Sequence, residues 1–117
     1  NDQSYIIEPN YINPFGSNEN QKRYFESIIY EMHISDWGKA INGRGKFTDI
    51  ENEVIQNHLK DLGITHVQLL PSFDYAQTNS DPKYNWGYNP YNFNVPEGRY
   101  VDNMTYGIDA VVQFRSL

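Results

Sequence analysis

The sequence contains no cysteine, which excludes disulfides and cysteine-ligated zinc and leaves the redox compartment open. No apolar run comes near the roughly 18 residues that span a bilayer. No basic stretch followed by an apolar one stands at the start, so no secretion signal is visible. Secreted, surface-held and cytoplasmic locations all stay open. Positive charge is scarce: nine Lys and Arg face fifteen Asp and Glu, for a net charge of −6. Nucleic acid and anionic membranes suit such a surface poorly as partners, because neither supplies the opposing charge. A neutral polymer is indifferent to it. No set of His, Asp and Glu has metal-ligand spacing. Gly38, Gly43 and Gly45 do not follow a strand and open a helix, as a phosphate loop requires. Neither a metal nor an organic cofactor is expected.

What the chain has is Tyr, ten of them, and many Asn, with a mean hydropathy of −0.73. That balance fits a loop-rich protein, and 117 residues allow one domain at most. Residues 1–24 hold Pro9, Pro14, Gly16 and several Asn, and read as a linker or draped extension. Ser27 to Ile34 is β-branched, aromatic and almost continuously apolar, which fits a strand buried on both faces. Asp36 to Lys46, with its three glycines, reads as loop. Thr48 to Leu62 reads as one helix. Thr48 and Glu51 have capping-box spacing, Ile50, Val54, Ile55, Leu59 and Leu62 form a stripe, and Gly63 is placed to end it. Ile64 to Leu70 reads as a second strand, parallel to the first across the helix. Ile108 to Leu117 reads as an amphipathic helix that reaches the last residue without a cap.

Between them, from Pro71 to about Asn103, no regular element is expected, yet the segment holds eight aromatic residues. A structureless stretch this long inside a compact domain points to function. Its centre is Tyr84-Asn85-Trp86-Gly87-Tyr88-Asn89-Pro90. Three rings alternate with two side-chain amides and a glycine, in a spacing that neither a helix nor a strand explains. Flat rings cover the C–H face of a pyranose and amides meet its hydroxyls, so the heptad has the chemistry of a sugar-binding cleft.

This heptad resembles the Tyr-Asn-Trp-Gly-Tyr-Asp-Pro signature of type I pullulanases, starch-debranching enzymes of the α-amylase superfamily (glycoside hydrolase family 13). Three further blocks resemble the same family in the same order. They are Ile28 to His33 with Asp36, then His58 to Pro71, then Asn94 to Tyr100, followed by Gln113-Phe114-Arg115. The resemblance runs from about Ser27 to Leu117. It implies an α/β fold: an incomplete (β/α)8 TIM barrel in residues 25–117, comprising the first two β/α units, a long aromatic loop after the second strand, and part of the second helix. A whole barrel takes roughly 250 residues.

The function implied is hydrolysis of α-1,6 branch linkages in pullulan, starch or glycogen by a retaining mechanism. The family's three catalytic carboxylates lie on later strands, so no catalytic residue is assigned here and the 117-residue chain alone is expected to be inactive. Tyr88 matches the tyrosine that stacks on glucose at the cleavage site, and Tyr84, Asn85, Trp86 and Asn89 would shape that subsite. The implied partners are an α-glucan, such as pullulan, starch, glycogen or a maltooligosaccharide, and the remainder of the barrel from another chain or absent. Two departures stand out: Asn89 replaces the signature's Asp, and Ser35 occupies a position where Arg is common. Isoamylase, branching enzyme and α-amylase share the implied barrel and remain alternatives, as does a non-catalytic glucan-binding fragment.

Other acid–base residues have plainer readings. Asp74 and Asp81 could be a glycosidase carboxylate pair, but they read as ordinary loop acids. His33 reads as a hydrogen-bonded structural histidine, His66 as core or an indirect neighbour of the site, and His58 as a partly exposed helix residue.

Overall fold

The computed structural model describes residues 26–117. The expected extension at residues 1–24 lies outside them. Strand β1 (Ile29–Met32) is followed by helices α1 (Ile34–Asn42), α2 (Phe47–Ile50) and α3 (Glu53–Asp61), then strand β2 (His66–Leu69). Strands β3 (Phe73–Tyr75) and β4 (Pro90–Pro96), a 3₁₀ turn (Gly98–Tyr100) and helix α4 (Gly107–Ser116) complete the order. The architecture is α/β. β1 and β2 pair in parallel with Ile29 opposite His66 and Met32 opposite Leu69, as the two apolar runs predict. β3 and β4 pair antiparallel as a separate, irregular hairpin with register shifts on both sides of Asp74.

Four expectations change. The segment read as loop from Asp36 to Lys46 carries α1. Ile34, Trp37, Gly38 and Ile41 form an inward stripe at i, i+3, i+4 and i+7, and the N-cap His33 Nδ1 accepts the Asp36 amide at 3.3 Å. Gly43 ends the helix at φ +81°, in the left-handed region. Gly38, which suggested a loop, is a contact glycine: a Cβ there would sit 2.6 Å from the Gly45 Cα.

The single helix expected over Thr48 to Leu62 is two. Asn52 caps the second, its Oδ1 accepting the Val54 amide at 2.8 Å. The Thr48–Glu51 capping box does not form. Asp49 Oδ2 instead accepts the Lys46 amide at 2.7 Å, and Glu51 accepts a hydrogen bond from the Ser116 hydroxyl at the far end of the chain. The C-terminal signal does hold, with Gly63 at φ +71° just past the C-cap Leu62.

The stretch from Pro71 to Asn103 contains β3, β4 and the 3₁₀ turn. β4 starts and ends with proline and carries Asn94 at φ +62°, composition that does not read as a strand. The strand expected to be buried on both faces is not, since β1 leaves Ile29 62% exposed and buries only Met32. Its one partner among the described residues is β2, whose His66, Val67 and Gln68 are exposed too.

The core lies where α1, α2, β3, the 3₁₀ turn and α4 meet. Ile34, Phe47, Tyr75, Tyr100, Val101 and Ala110 form it, with Ile50, Leu69 and Phe114 packed on its margin. Beside it, buried Asp49 joins neighbouring loops, accepting from Arg44 Nη2 at 2.6 Å and Nε at 3.2 Å and from the Asn42 amide. Burial alone would raise that carboxyl, but the hydrogen bonds from Asn42, Lys46 and Arg44 hold it below the ordinary aspartate range. Among the described residues no helix is long and apolar enough to cross a membrane.

Candidate functional site

The aromatic heptad is set by backbone constraints before any ring is placed. Asn85 Oδ1 accepts the Gly87 amide at 2.8 Å, an Asx turn. Gly87 then takes φ +82° and is buried against the end of β2. A Cβ there would stand 3.0 Å from the Pro71 carbonyl and 3.1 Å from the Tyr75 ring. No other residue suits both the torsion and the space. Beyond it, the Ala76 amide donates to the Asn89 carbonyl at 2.9 Å, and Pro90 opposite Tyr75 begins the hairpin pairing. The glycine and the first asparagine make the turn, and the hairpin anchors its exit.

The three rings so presented remain in solvent: Tyr84 is 58% exposed, Trp86 56% and Tyr88 64%. The two tyrosine hydroxyls reach carboxylates distant in sequence. Tyr84 donates to Asp36 Oδ2 at 2.7 Å, and Tyr88 to Glu31 Oε1 at 3.4 Å. The Trp86 and Tyr88 rings lie 6.5 Å apart between centres, tilted by 60° to each other. Tyr84 leans on His33 at 5.6 Å. Partial burial, then the hydrogen bond to Asp36, raises the Tyr84 phenol above its ordinary value, so it stays a protonated donor at neutral pH. The arrangement brings together Tyr84, Asn85, Trp86 and Tyr88 with Glu31 of β1 and Asp36 of α1. Asn89 enters through its backbone, holding the turn. Exposed flat faces with hydroxyls and carboxylates at their edges offer stacking area beside hydrogen-bond acceptors.

Beneath this surface His33 ties the strand end to the core. Its Nδ1 accepts the Asp36 amide, and its Nε2 lies 3.1 Å from the Tyr100 hydroxyl. Burial drives the Tyr100 phenol far up, keeping it neutral. His33 is thus the structural histidine its position implied. His58 is exposed, its ring 5.9 Å from that of Trp37. His66 is exposed rather than buried or beneath the site, its Nδ1 2.8 Å from Thr65 Oγ1, because no further strand among the described residues covers β2. Asp74 and Asp81 are engaged separately. Asp74 accepts from the Asn92 side chain at 2.6 Å and Asp81 from the Lys83 amide at 3.0 Å.

Sequence reasoning passed over Glu31, Arg99 and Glu97 as functional or supporting groups. Glu97 is completely buried, taking the Tyr75 amide on Oε2 at 3.1 Å and the Arg99 amide on Oε1 at 2.9 Å. It thereby locks β3 to the 3₁₀ turn behind the heptad. Arg99 reaches back to the Tyr75 hydroxyl at 3.2 Å and the Asp81 carbonyl at 2.9 Å. The one available signal is the Pro96-Glu97-Gly98-Arg99-Tyr100 block.

Burial raises the Glu97 carboxyl above its ordinary range, against the pull of the two amides. An acid whose folded-state pKa exceeds its unfolded value penalises the folded state at high pH, and the penalty is relieved as pH falls through the folded value. Urea titrations from pH 8 down to 5 should therefore show a stability gain from this group that Glu97→Gln lacks. Parallel pH slopes for wild type and variant would refute it.

No family model matches the sequence. The chain is 35% identical over 94 residues to the pullulanase of Bacillus subtilis (strain 168), an alignment covering 67% of this chain and 13% of that protein. Its fold superposes on the crystal structure of type I pullulanase from the same strain, complexed with maltose. The TM-score is 0.80 at 25% identity, covering 97% of this chain and 18% of that one. The pullulanase of Anoxybacillus sp. LM18-11, complexed with maltotetraose, superposes with TM-score 0.76 at 28% identity, covering 91% and 18%. The chain thus spans less than a fifth of the length of these relatives. In sequence over 67% of its length, and in fold over more than 90%, it is pullulanase-like.

Proposed function

We propose that this chain grips an α-glucan as part of a pullulanase-like hydrolase. In this reading residues 25–117 are the amino-terminal portion of a (β/α)8 catalytic barrel, preceded by an extension over residues 1–24. β1, α3, β2 and α4 are its first two β/α units, and the remaining strands would cover the open edges and exposed faces of β1 and β2. The whole enzyme would cleave α-1,6 branch linkages with retention: a carboxylate attacks the anomeric carbon, a carboxylic acid protonates the leaving oxygen, and water releases the sugar. None of those groups is assigned to this chain.

What this chain contributes is recognition. Tyr88 and Trp86 stack on glucose faces. Tyr84, Asn85 and Asn89 shape the same subsite, with Asp36 and Glu31 orienting the two phenols. The observation that carries the reading is three exposed rings held by a glycine turn against the carboxyl ends of β1 and β2, the face where barrel sites gather. The maltooligosaccharides in the neighbouring pullulanase structures agree with it.

Calorimetric titration of the chain with maltotetraose is the test. Saturable binding, with no reducing sugar released from pullulan, is expected. Heats no larger than dilution would count against the site, and turnover by the chain alone would count against a purely recognising role.

A further inference from the structure

Five of the nine basic residues in this acidic chain, Lys39, Arg44, Lys46, Lys83 and Arg99, line one cavity of about 320 Å³. Among the described acids only Asp81 lines it. The cavity lies between α1, the loop before α2 and the segment leading into the heptad, and Tyr84 and Asn85 form part of its wall.

Three of the cations have structural work. Arg44 pairs with Asp49 and Asp102, Lys46 Nζ donates to the Arg99 carbonyl at 2.7 Å, and Arg99 holds the loop around Thr78 and Asp81. Lys39 and Lys83 have none: neither ammonium group makes a hydrogen bond or ion pair among the described residues. Asp81 attracts both Lys83 and Arg99 and carries a single negative charge, so it cannot balance the five cations alone. A chain with net charge −6 has every electrostatic reason to spread its few cations among its acids. Gathering five around one concavity, two of them uncommitted, is the arrangement of a site awaiting an anion. Lysine ammonium groups serve as point charges for phosphate oxygens.

We propose that this cavity is a phosphate-monoester subsite, which takes a phosphorylated glucose unit of the glucan beside the ring-stacking heptad. The oxyanion half of the assignment stands on the cavity, and the sugar half rests on the glucan reading above. Lys39 and Lys83 supply the free charge, Asn79 and Ser35 offer neutral polar groups, and Tyr84 is shared with the neutral subsite.

The test is titration of the chain at low ionic strength with glucose 6-phosphate, inorganic phosphate and maltotriose, repeated on Lys39→Gln/Lys83→Gln. Both side chains are exposed and unbonded, so the double variant keeps the fold, which circular dichroism checks. Glucose 6-phosphate should bind saturably, more tightly than inorganic phosphate, and at least tenfold more weakly to the variant, while maltotriose binding is the same in both proteins. Raising the salt should weaken glucose 6-phosphate and inorganic phosphate and leave maltotriose unchanged. Equal affinity for glucose 6-phosphate and inorganic phosphate would overturn the ester and assign the free anion. No binding of either, or equal affinity in both proteins, would overturn the site. Maltotriose reports separately on the neutral subsite, so failure of the two readings can be told apart.

Discussion

Phe47→Ala is expected to cost about 3–5 kcal/mol of folding stability. Phe47 is 0% exposed and meets Tyr100 and Phe114 edge to face, each at 5.5 Å between ring centres. It is the first residue of α2, and its ring is where the β1-to-β2 crossover touches the 3₁₀ turn and α4. Truncation removes the transfer free energy of a whole aromatic side chain and leaves a hole between elements that cannot all close on it. Domains of this size hold only about 5–15 kcal/mol in total, so the loss takes away much of the stability. Urea unfolding followed by near-ultraviolet circular dichroism would read it. Phe47→Leu, which keeps most of the volume, should cost under about 1.5 kcal/mol. A cost below about 1 kcal/mol for Phe47→Ala would mean that the core is elsewhere.

The second large effect is on binding. Trp86→Ala/Tyr88→Ala should weaken maltotetraose binding by about a hundredfold while leaving the unfolding midpoint nearly unchanged. An aromatic stacking pair is worth roughly 0.5–1.5 kcal/mol beyond the area it covers, and a ring laid on a sugar face is taken on the same scale. With the covered area included, two rings reach about 2.8 kcal/mol, and each 1.4 kcal/mol is a factor of ten in affinity. Stability should hold because both rings are more than half exposed and neither belongs to the buried core. Tyr88→Phe isolates the hydroxyl that reaches Glu31. It keeps the stacking face and should lose only a few-fold. If the double alanine variant binds like the wild type, these rings are not the glucan site.

The parallel pair of β1 and β2 was legible because both are short apolar runs, and Gly63 marked the end of the intervening helix for a local reason, its left-handed torsion. The heptad was legible as chemistry, since its rings, amides and glycine have no regular period. The partners of those rings were not. Asp36 and Glu31 lie 48 and 57 residues from the tyrosines they meet, and no local pattern encodes a contact of that span. Helix α1 was hidden by Gly38, whose missing side chain serves a close approach to Gly45 and not a turn. The break between α2 and α3 was hidden for the opposite reason. The stripe from Ile50 to Leu62 continues across it, while Asn52 caps and buried Phe47 pulls the preceding turn into the core.

By itself, then, the sequence determined the elements whose cause is local: two apolar strands, a glycine helix stop and a ring-bearing loop. Tertiary structure alone decided which carboxylates orient the rings, that Glu97 is buried behind them, and that five scattered cations share one cavity. The physical reason is range. Torsions and periodicity act over a few residues, whereas burial and electrostatic proximity depend on where distant segments come to rest.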